Sequence, residues 1–513
     1  MAMIIDSGVV GNVVLLFFTG ACGGAWLSYF RRCGNTLAEA VAYALMATIM
    51  AQAWLAQVIL LAGWPSLYLP ALIIGAVFFA NHLFNHRRTF FSQVGILIQF
   101  IRNHRMAASG LLLVWGYVAV VWFWPLVQVN GPNLDYYQPI WNHARSILSV
   151  YTSSPDMVLP VLNHAVFSAS WQPPQAIAIA NLGAYAAIGF STYALARRYA
   201  WPPMAITVTL LVVSMHRVVQ QSMTTPSELL PAAAALVSIL ALYRLCEQPH
   251  GHDTGMHISA LAYTVAGGRL CYLMAAVLCG LSVVALSRRY GFGALRPNMS
   301  GRRPGIWVVF ALVVVFSQGA YVCANLIVGR PWIGEPIRDS VVFNPDALLG
   351  TVGNLVRYLL LSFDLPEFVE QFAKWGFGFS LLDGLKGAYH WLSAKPFAGK
   401  GAAVIFDWSW TSGSGFSWFG PAGFCLVIPS VGMALLRGPR RLKAVAMAMT
   451  VYWVLIALIL AWRPENVRWM TNFFVCTGFF MAFLLPPWRI GRNGRMVLQT
   501  VCILLLGYAL LST

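Results

Sequence analysis

One carboxylate, Asp135, stands out in the polar stretch formed by residues 122–174, where it opens the sequence Asp-Tyr-Tyr-Gln-Pro. The stretch is too polar to cross a bilayer and too rich in aromatic side chains to be a simple linker. A carboxylate that accepts a proton from an attacking hydroxyl or amine typically contributes about 10²–10⁴-fold to a reaction rate. We therefore predict that Asp135 is a catalytic base. Tyr137 and His143, in the same stretch, are further candidates for binding the substrate.

A second acid, Glu228, begins the apolar run that follows a short polar turn. An acid at a helix N-terminus is favoured by the helix dipole, and Thr225 or Ser227 could cap the same helix, which would be a structural role. An acid at the membrane boundary, facing the same compartment as Asp135, is otherwise a candidate for a functional site. Both interpretations stay open, and in the second Glu228 binds the substrate.

Two arginines near the ends of apolar runs are candidates for binding an anion. Arg269 follows Gly267 and Gly268 and interrupts the apolar run 258–286, although an arginine within hydrocarbon costs about 2.5–3.5 kcal/mol on insertion scales. It either lies in a short hairpin or faces a cavity. In the second interpretation Arg269 binds an anionic headgroup, which a guanidinium group can hold through two hydrogen bonds. Arg468 ends the turn Trp-Arg-Pro-Glu-Asn-Val-Arg. In the turn that contains Arg468, Glu465 could pair with one of the two arginines.

The composition shows which elements hold these side chains in place. Hydrophobic residues make up 59% of the 513 residues and charged residues only 10%, whereas soluble domains contain about 25% charged residues. Apolar runs long enough to span a membrane, or nearly so, recur along the chain at residues 9–29, 37–61, 67–84, 108–127, 176–196, 205–215, 229–245, 306–328, 422–436, 444–462, 469–485 and 497–511. The run 258–286 is either one span or two short ones. We predict an all-α polytopic membrane protein with roughly 12 to 14 transmembrane helices.

The spacing of the runs predicts four segments. An N-terminal segment of three spans covers residues 1–107, and a catalytic transmembrane module covers 108–328 with a first external loop at 128–175. A second large external loop covers 329–419, and C-terminal transmembrane helices cover 420–513. Both loops are predicted to contain interfacial helices, such as an amphipathic helix within 354–374. The first residues include an acid and no basic segment, so the first run is predicted to be retained rather than cleaved.

The distribution of charge predicts the orientation of the chain. Most of the 33 lysines and arginines lie in short loops on one side of the predicted spans, which is the cytoplasmic side by the positive-inside rule. Among the 16 acids, only Glu39, Glu247 and Asp253 lie on or just inside that side. The net charge of +17 is therefore attributed to topology and to attraction of anionic lipids. The scattered basic groups do not indicate nucleic-acid binding.

The sequence indicates no metal or nucleotide cofactor. The nine cysteines lie in or beside apolar runs without a CxxC motif, which argues against a disulfide framework or a zinc site. His82 and His86 have ligand spacing, but two amphipathic histidines beside a basic pair are the favoured interpretation. Asp156 is interpreted as a turn or capping residue. No Rossmann or P-loop motif is present.

The order of three motifs on one predicted side resembles the GT-C superfamily of integral-membrane glycosyltransferases. These are the Asp135 loop, the turn Gln221-x-x-Thr-Thr-x-x-Glu228, and the turn Trp462-x-Pro-x-x-x-Arg468, together with SGFSWFGPAGFCLVIPS at the entry to a late span. Within that superfamily the chain looks most like the bacterial protein mannosyltransferases and the aminoarabinose transferase. The resemblance covers about residues 115–485.

The resemblance implies a function for these residues. In that family the aspartate of the first external loop is the general base, the sugar arrives on a polyprenyl phosphate, and basic residues at the outer ends of spans hold the phosphate. Asp135 then corresponds to the base, Tyr137 to its neighbour and Arg468 to a phosphate ligand, with Arg269 as a second candidate. The partners implied are a polyprenyl-phosphate sugar and a glycan, lipid or protein acceptor, at the periplasmic face of a bacterial plasma membrane. This chain departs from many relatives in having no second acid beside Asp135 and Trp469 in place of a tyrosine.

Two other classes of membrane protein stay open. An O-antigen-type ligase or polymerase would also use external arginines and a polyprenyl carrier, but would transfer a glycan from a diphosphate. A solute transporter or lipid flippase would show paired ionisable residues in the middle of spans, or inverted repeats. The sequence shows neither of these two transporter features.

Overall fold

The computed structural model describes residues 7–61, 68–85, 179–223, 228–248, 250–291, 319–327, 347–361, 367–393, 423–463 and 469–485, with single residues or pairs within 91–103 and 159–163 and at 317, 329, 331, 344, 419, 466 and 500. These residues are almost entirely helical and include no β-strand. The chain divides into two compact units. The first contains Met1–Arg198 with Gln221–Glu335, and the second contains Tyr199–Gln220 with Pro336–Thr513.

The helices of the N-terminal half are, in chain order, α1 Ser7–Arg32, α2 Leu37–Leu61, α3 Tyr68–Asn85, α4 Ile179–Ala196, α5 Pro202–Val213, α6 His216–Met223, α7 Leu229–Glu247, α8 Gly251–Val265 and α9 Arg269–Tyr290. Those of the C-terminal half are α10 Ala320–Ile327, α11 Ala347–Leu361, α12 Glu367–Phe377, α13 Leu381–Ser393, α14 Ile428–Arg437, α15 Arg440–Ile459, α16 Met470–Thr477 and α17 Met481–Leu484. A π-helical turn, Gly423–Val427, precedes α14, and a 3₁₀ turn, Gly478–Phe480, precedes α17.

Four of the described helices are long and apolar enough to cross a membrane, namely Leu37–Ile59, Leu229–Glu247, Leu270–Tyr290 and Arg440–Ile459. A fifth candidate is the pair α5 and α6, which is bent by 69° at its break. The chain is therefore an all-helical membrane protein. The larger number of 12 to 14 crossings stays a prediction, because predicted spans such as 108–127 lie outside the described residues.

The apolar run 258–286 forms two helices rather than one. The chain turns between α8 and α9 at Gly268, whose φ of 126° is accessible to glycine but strained for other residues. The two helices run antiparallel, since His257 of α8 reaches Ser282 of α9, with Nε2 2.8 Å from Oγ. The other ring nitrogen, Nδ1, lies 3.0 Å from the carbonyl oxygen of Ser238 in α7. This buried histidine therefore links three helices.

In the second unit, α11 packs along α15. Asn354 of α11 is buried, and its Nδ2 donates to the carbonyl oxygens of Ala457 at 3.0 Å and of Leu460 at 2.9 Å. These carbonyls lie at the end of α15, where backbone acceptors have no helical partner of their own. The predicted amphipathic stretch 354–374 is divided between α11 and α12, and Tyr358 is buried within it.

The three acids on the basic side of the sequence converge in the first unit. Glu39 forms a capping box at the start of α2, because Thr36 N donates to its carboxylate at 2.9 Å. Arg198, just after α4, donates from Nη2 to Glu39 at 2.8 Å and from Nε to Glu247, at the end of α7, at 2.8 Å. Arg244 of α7 lies 3.7 Å from Glu39. We call this end of the unit the basic end.

The third acid, Asp253, is completely buried at the same end. Tyr43 of α2 donates its hydroxyl to Oδ1 at 3.0 Å, whereas Oδ2 has only Arg244 Nε at 3.8 Å and His252 Nε2 at 3.5 Å. Burial therefore raises the pKa of Asp253, since the charges of His252 and Arg244 offset the lost hydration only in part.

The ion pairs fix the relative directions of the helices. The starts of α2 and α8 and the ends of α4 and α7 all lie at the basic end. Because the turn between α8 and α9 follows the end of α8, that turn lies at the opposite end of the unit. The end of α2 and the starts of α4 and α7 must lie there as well.

Removing the cation that joins two carboxylates should destabilise the first unit. Arg198→Met is expected to lower the free energy of unfolding by about 2–3 kcal/mol, because it leaves Glu39 buried without its closest cation. Arg197→Met, at the exposed neighbouring position, should stay within about 0.5 kcal/mol of wild type. Thermal unfolding in detergent measures both, and equal unfolding temperatures for the two variants would contradict a structural role for the pair.

Candidate functional site at the polar end of the first unit

Buried polar side chains gather at the end of the first unit that lies opposite the basic end. Gln57 lies in the last turns of α2, Asn181 lies in the first turn of α4, and Glu228 directly precedes α7. These three helices pack against one another. Polar side chains that are buried at the ends of three neighbouring apolar helices make this end of the unit a candidate site. We call this end the polar end.

Asn163 brings a segment of the predicted first external loop into the same bundle. Its side chain is completely buried, and its Nδ2 donates to the carbonyl oxygen of Ile49 in α2 at 2.9 Å. Its Oδ1 accepts from the hydroxyl of Tyr263, near the end of α8, at 2.6 Å. Leu159 and Leu162 are buried beside it in the sequence. This part of the loop is thus anchored between α2 and α8.

Glu228 is only 3% exposed and occupies the N-cap position of α7. Its side chain forms no capping hydrogen bond with the helix, and its backbone already has helical dihedral angles, with φ −65° and ψ −23°. The Glu228 side chain itself therefore does not cap α7, and the interpretation that the helix dipole favours its charge stays a prediction. Thr225 and Ser227, the caps that the sequence suggested, lie outside the described residues.

The turn that leads to Arg269 packs against the first turn of α7. A Cβ atom placed on Gly267 would lie 2.5 Å from Pro231 Cβ, so only glycine allows this approach. Pro231 follows Glu228 by three residues, and Arg269 follows Gly267 by two. The α8–α9 turn therefore lies against the start of α7, close in sequence to both Glu228 and Arg269. Arg269 is the first residue of α9, directly after this turn.

The other predicted site residues, Asp135, Tyr137, His143 and Arg468, lie outside the described residues, as do His86 and Asp156. The described residues on either side of Arg468 in the sequence pack in the second unit. Trp462 is completely buried, and Tyr452 donates its hydroxyl to the carbonyl oxygen of Trp469 at 3.1 Å.

Gln57, Asn163 and Asn181 were not among the site residues predicted from the sequence. The sequence does show a primary amide within or beside an apolar run at each of these positions. Whether such an amide belongs to a site depends on which helices pack together, and the sequence does not show that. Among the described residues, no three His, Cys, Asp or Glu side chains are grouped as metal ligands. His82 lies instead beside Arg32, with Nε2 3.2 Å from Nη2.

No known family matches. Comparison of the chain with protein-family models, with curated proteins and with solved structures gives no match in any of the three sets. The resemblance to the GT-C superfamily consequently stays a prediction from the order and spacing of the motifs.

The close approach of the α8–α9 turn to α7 gives a direct test of the polar end. Gly267→Ala is expected to destabilise the protein by about 1–3 kcal/mol, because the added methyl group overlaps Pro231. Gly255→Ala, within α8 and with no atom within 4 Å of the added group, should instead stabilise by up to about 1 kcal/mol. Thermal unfolding of the pair measures this difference, and a Gly267→Ala variant as stable as Gly255→Ala would refute the packing.

Proposed function

We propose that this protein is an integral-membrane glycosyltransferase of the GT-C type. It transfers a sugar from a polyprenyl-phosphate donor to a hydroxyl or amine of a glycan, lipid or protein acceptor. The reaction takes place at the external face of a bacterial plasma membrane and inverts the anomeric carbon. No metal or nucleotide is required on that face.

The observation that supports this proposal most is the meeting of independent sequence motifs at the polar end. Glu228 and the Gly267–Arg269 turn come from different parts of the chain, and the Gly267–Pro231 contact brings them together. The Asn163 segment of the loop that contains Asp135 is buried in the same bundle. A buried acid, the start of a helix and an anchored loop are the elements that a site for a charged lipid-linked sugar needs.

The orientation follows from charge. Arg198 and Arg244 lie at the basic end together with the starts or ends of four helices, and the positive-inside rule assigns such an end to the cytoplasm. The polar end then faces outward, where a donor lipid in the outer leaflet can reach it.

The chemistry needs few side chains. The acceptor oxygen or nitrogen forms a bond to the anomeric carbon while the bond from that carbon to the phosphate oxygen breaks, and the lipid phosphate leaves with the electron pair. Asp135 takes the proton of the acceptor. Arg468 and Arg269 stabilise the leaving phosphate by charge-assisted hydrogen bonds, which can be the larger contribution to the rate. Glu228 holds the sugar or an acceptor amine.

The transporter alternative gains no specific support. Buried ion pairs do occur among the described residues, but Arg198, Glu39, Glu247 and Asp253 all lie at or near helix ends. A proton or ion pathway would need such groups near the middle of the spans.

The proposal predicts release of lipid phosphate when the purified protein is incubated with polyprenyl-phosphate sugars and acceptor extracts. Asp135→Asn should abolish release without loss of lipid binding, because only the proton acceptor is removed. Glu228→Gln should reduce release by at least ten-fold. Asp383→Asn, an exposed acid of α13, is the matched control and should turn over as wild type does. Full activity of Asp135→Asn would refute the assignment of the base.

A further inference from the structure

Gln221 is a buried side chain whose polar atoms make no hydrogen bonds. It is completely buried in α6, and neither Nε2 nor Oε1 of its amide has a hydrogen-bond partner. Among the described residues, no other side chain has two buried polar atoms without a partner. The sequence analysis included Gln221 in a motif but assigned it no role.

Among the described residues, every other buried amide lacks a hydrogen-bond partner at one atom at most. Asn163 uses both ends of its amide, Asn354 donates to two carbonyl oxygens, and Gln52 donates to Thr19 at 2.6 Å. The neighbouring Gln220 accepts from Arg217 at 2.8 Å. Because more than nine in ten buried polar groups in native proteins are paired, an amide left wholly unpaired suggests a ligand that supplies the partners.

The position of Gln221 connects it with the polar end. The residue belongs to the first compact unit. It lies seven residues before Glu228, after the bend of 69° between α5 and α6 and directly before the chain enters α7. Both side chains are buried, and only six residues separate them along the chain.

The chemistry of a primary amide selects one part of the proposed donor. An amide offers two N–H donors and one carbonyl acceptor and has no charge. A phosphate only accepts and is better matched by arginine, and a polyprenyl chain has no polar group. Sugar hydroxyls both donate and accept, so two neighbouring hydroxyls can satisfy both ends of the amide.

We infer that Gln221 recognises the sugar of the donor lipid by hydrogen bonding to its hydroxyl groups. This inference depends on the proposed function, since it specifies which part of the lipid-linked sugar the polar end binds. Gln221 thereby makes the site prefer a sugar-bearing lipid over the bare lipid phosphate that is the product.

The test measures that preference in the full-length protein. The probes are undecaprenyl phosphate and undecaprenyl phosphate that carries glucose, mannose or 4-amino-4-deoxyarabinose, with affinity measured in detergent. Gln221→Met, of similar volume but without the amide, should reduce the preference for the best sugar-bearing lipid by about three- to ten-fold. Affinity for the bare lipid should not change. The unfolding temperature of the ligand-free variant should equal or exceed that of wild type, because an unpaired buried amide has been removed.

Two further variants make the result specific. Gln220→Met removes the adjacent, paired amide and should leave the sugar preference unchanged. Gln221→Leu gives a second apolar replacement if methionine packs poorly, and the same loss of preference is expected.

Three other outcomes would contradict the inference or the proposed function. If Gln221→Met keeps the full sugar preference, or weakens the bare and sugar-bearing lipids equally while it lowers the unfolding temperature, Gln221 is a structural or hydrated residue and the inference fails. If wild type binds every lipid without preferring a sugar, the inference also fails, although lipid-linked function survives. If wild type binds none of the lipids, the proposed function itself fails.

Discussion

The arrangement of the first unit depends on a guanidinium group shared by two carboxylates. Arg198 lies between Glu39 and Glu247 at 2.8 Å from each, and so joins the end of α4 to the start of α2 and the end of α7. Ion pairs at a protein surface contribute little, but Glu39 is only 4% exposed, and a buried charge that loses its partner is costly. The pairing therefore excludes helix arrangements in which these ends are separated.

The polar end is a consequence of that constraint. Once α2 and α4 run in opposite directions and α7 runs parallel to α4, the side chains Gln57, Asn181 and Glu228 must lie together at the far end. The close approach of Gly267 to Pro231 then adds the α8–α9 turn to this end. The hydrogen bonds of Asn163 hold part of the predicted loop against the middle of α2 and the last turns of α8. A charge network at one end of the unit thus determines which helix ends meet at the other end.

Local features of the sequence were sufficient to predict individual helices but not their partners. The apolar run 37–61 coincides with α2. The glycine pair before Arg269 left one span or two open, and the structure shows two helices, α8 and α9. The pairing of Glu39 with Arg198 could not be predicted, because 159 residues separate them and the charge of each also suits a solvated loop. Asn163 was missed for the same reason, since its partners Ile49 and Tyr263 lie 114 and 100 residues away.

The central claim is that the basic end and the polar end of the first unit face opposite sides of the membrane, with the polar end outside. In a cysteine-free variant, one cysteine is restored at Cys33, between α1 and α2 at the basic end, or introduced as Pro70→Cys at the exposed start of α3. A membrane-impermeant maleimide is then applied to spheroplasts before and after permeabilisation. The account predicts that the cysteine at position 70 reacts in intact spheroplasts and that Cys33 reacts only after permeabilisation. Labelling of Cys33 in intact spheroplasts, or of both positions from the same side, would contradict it.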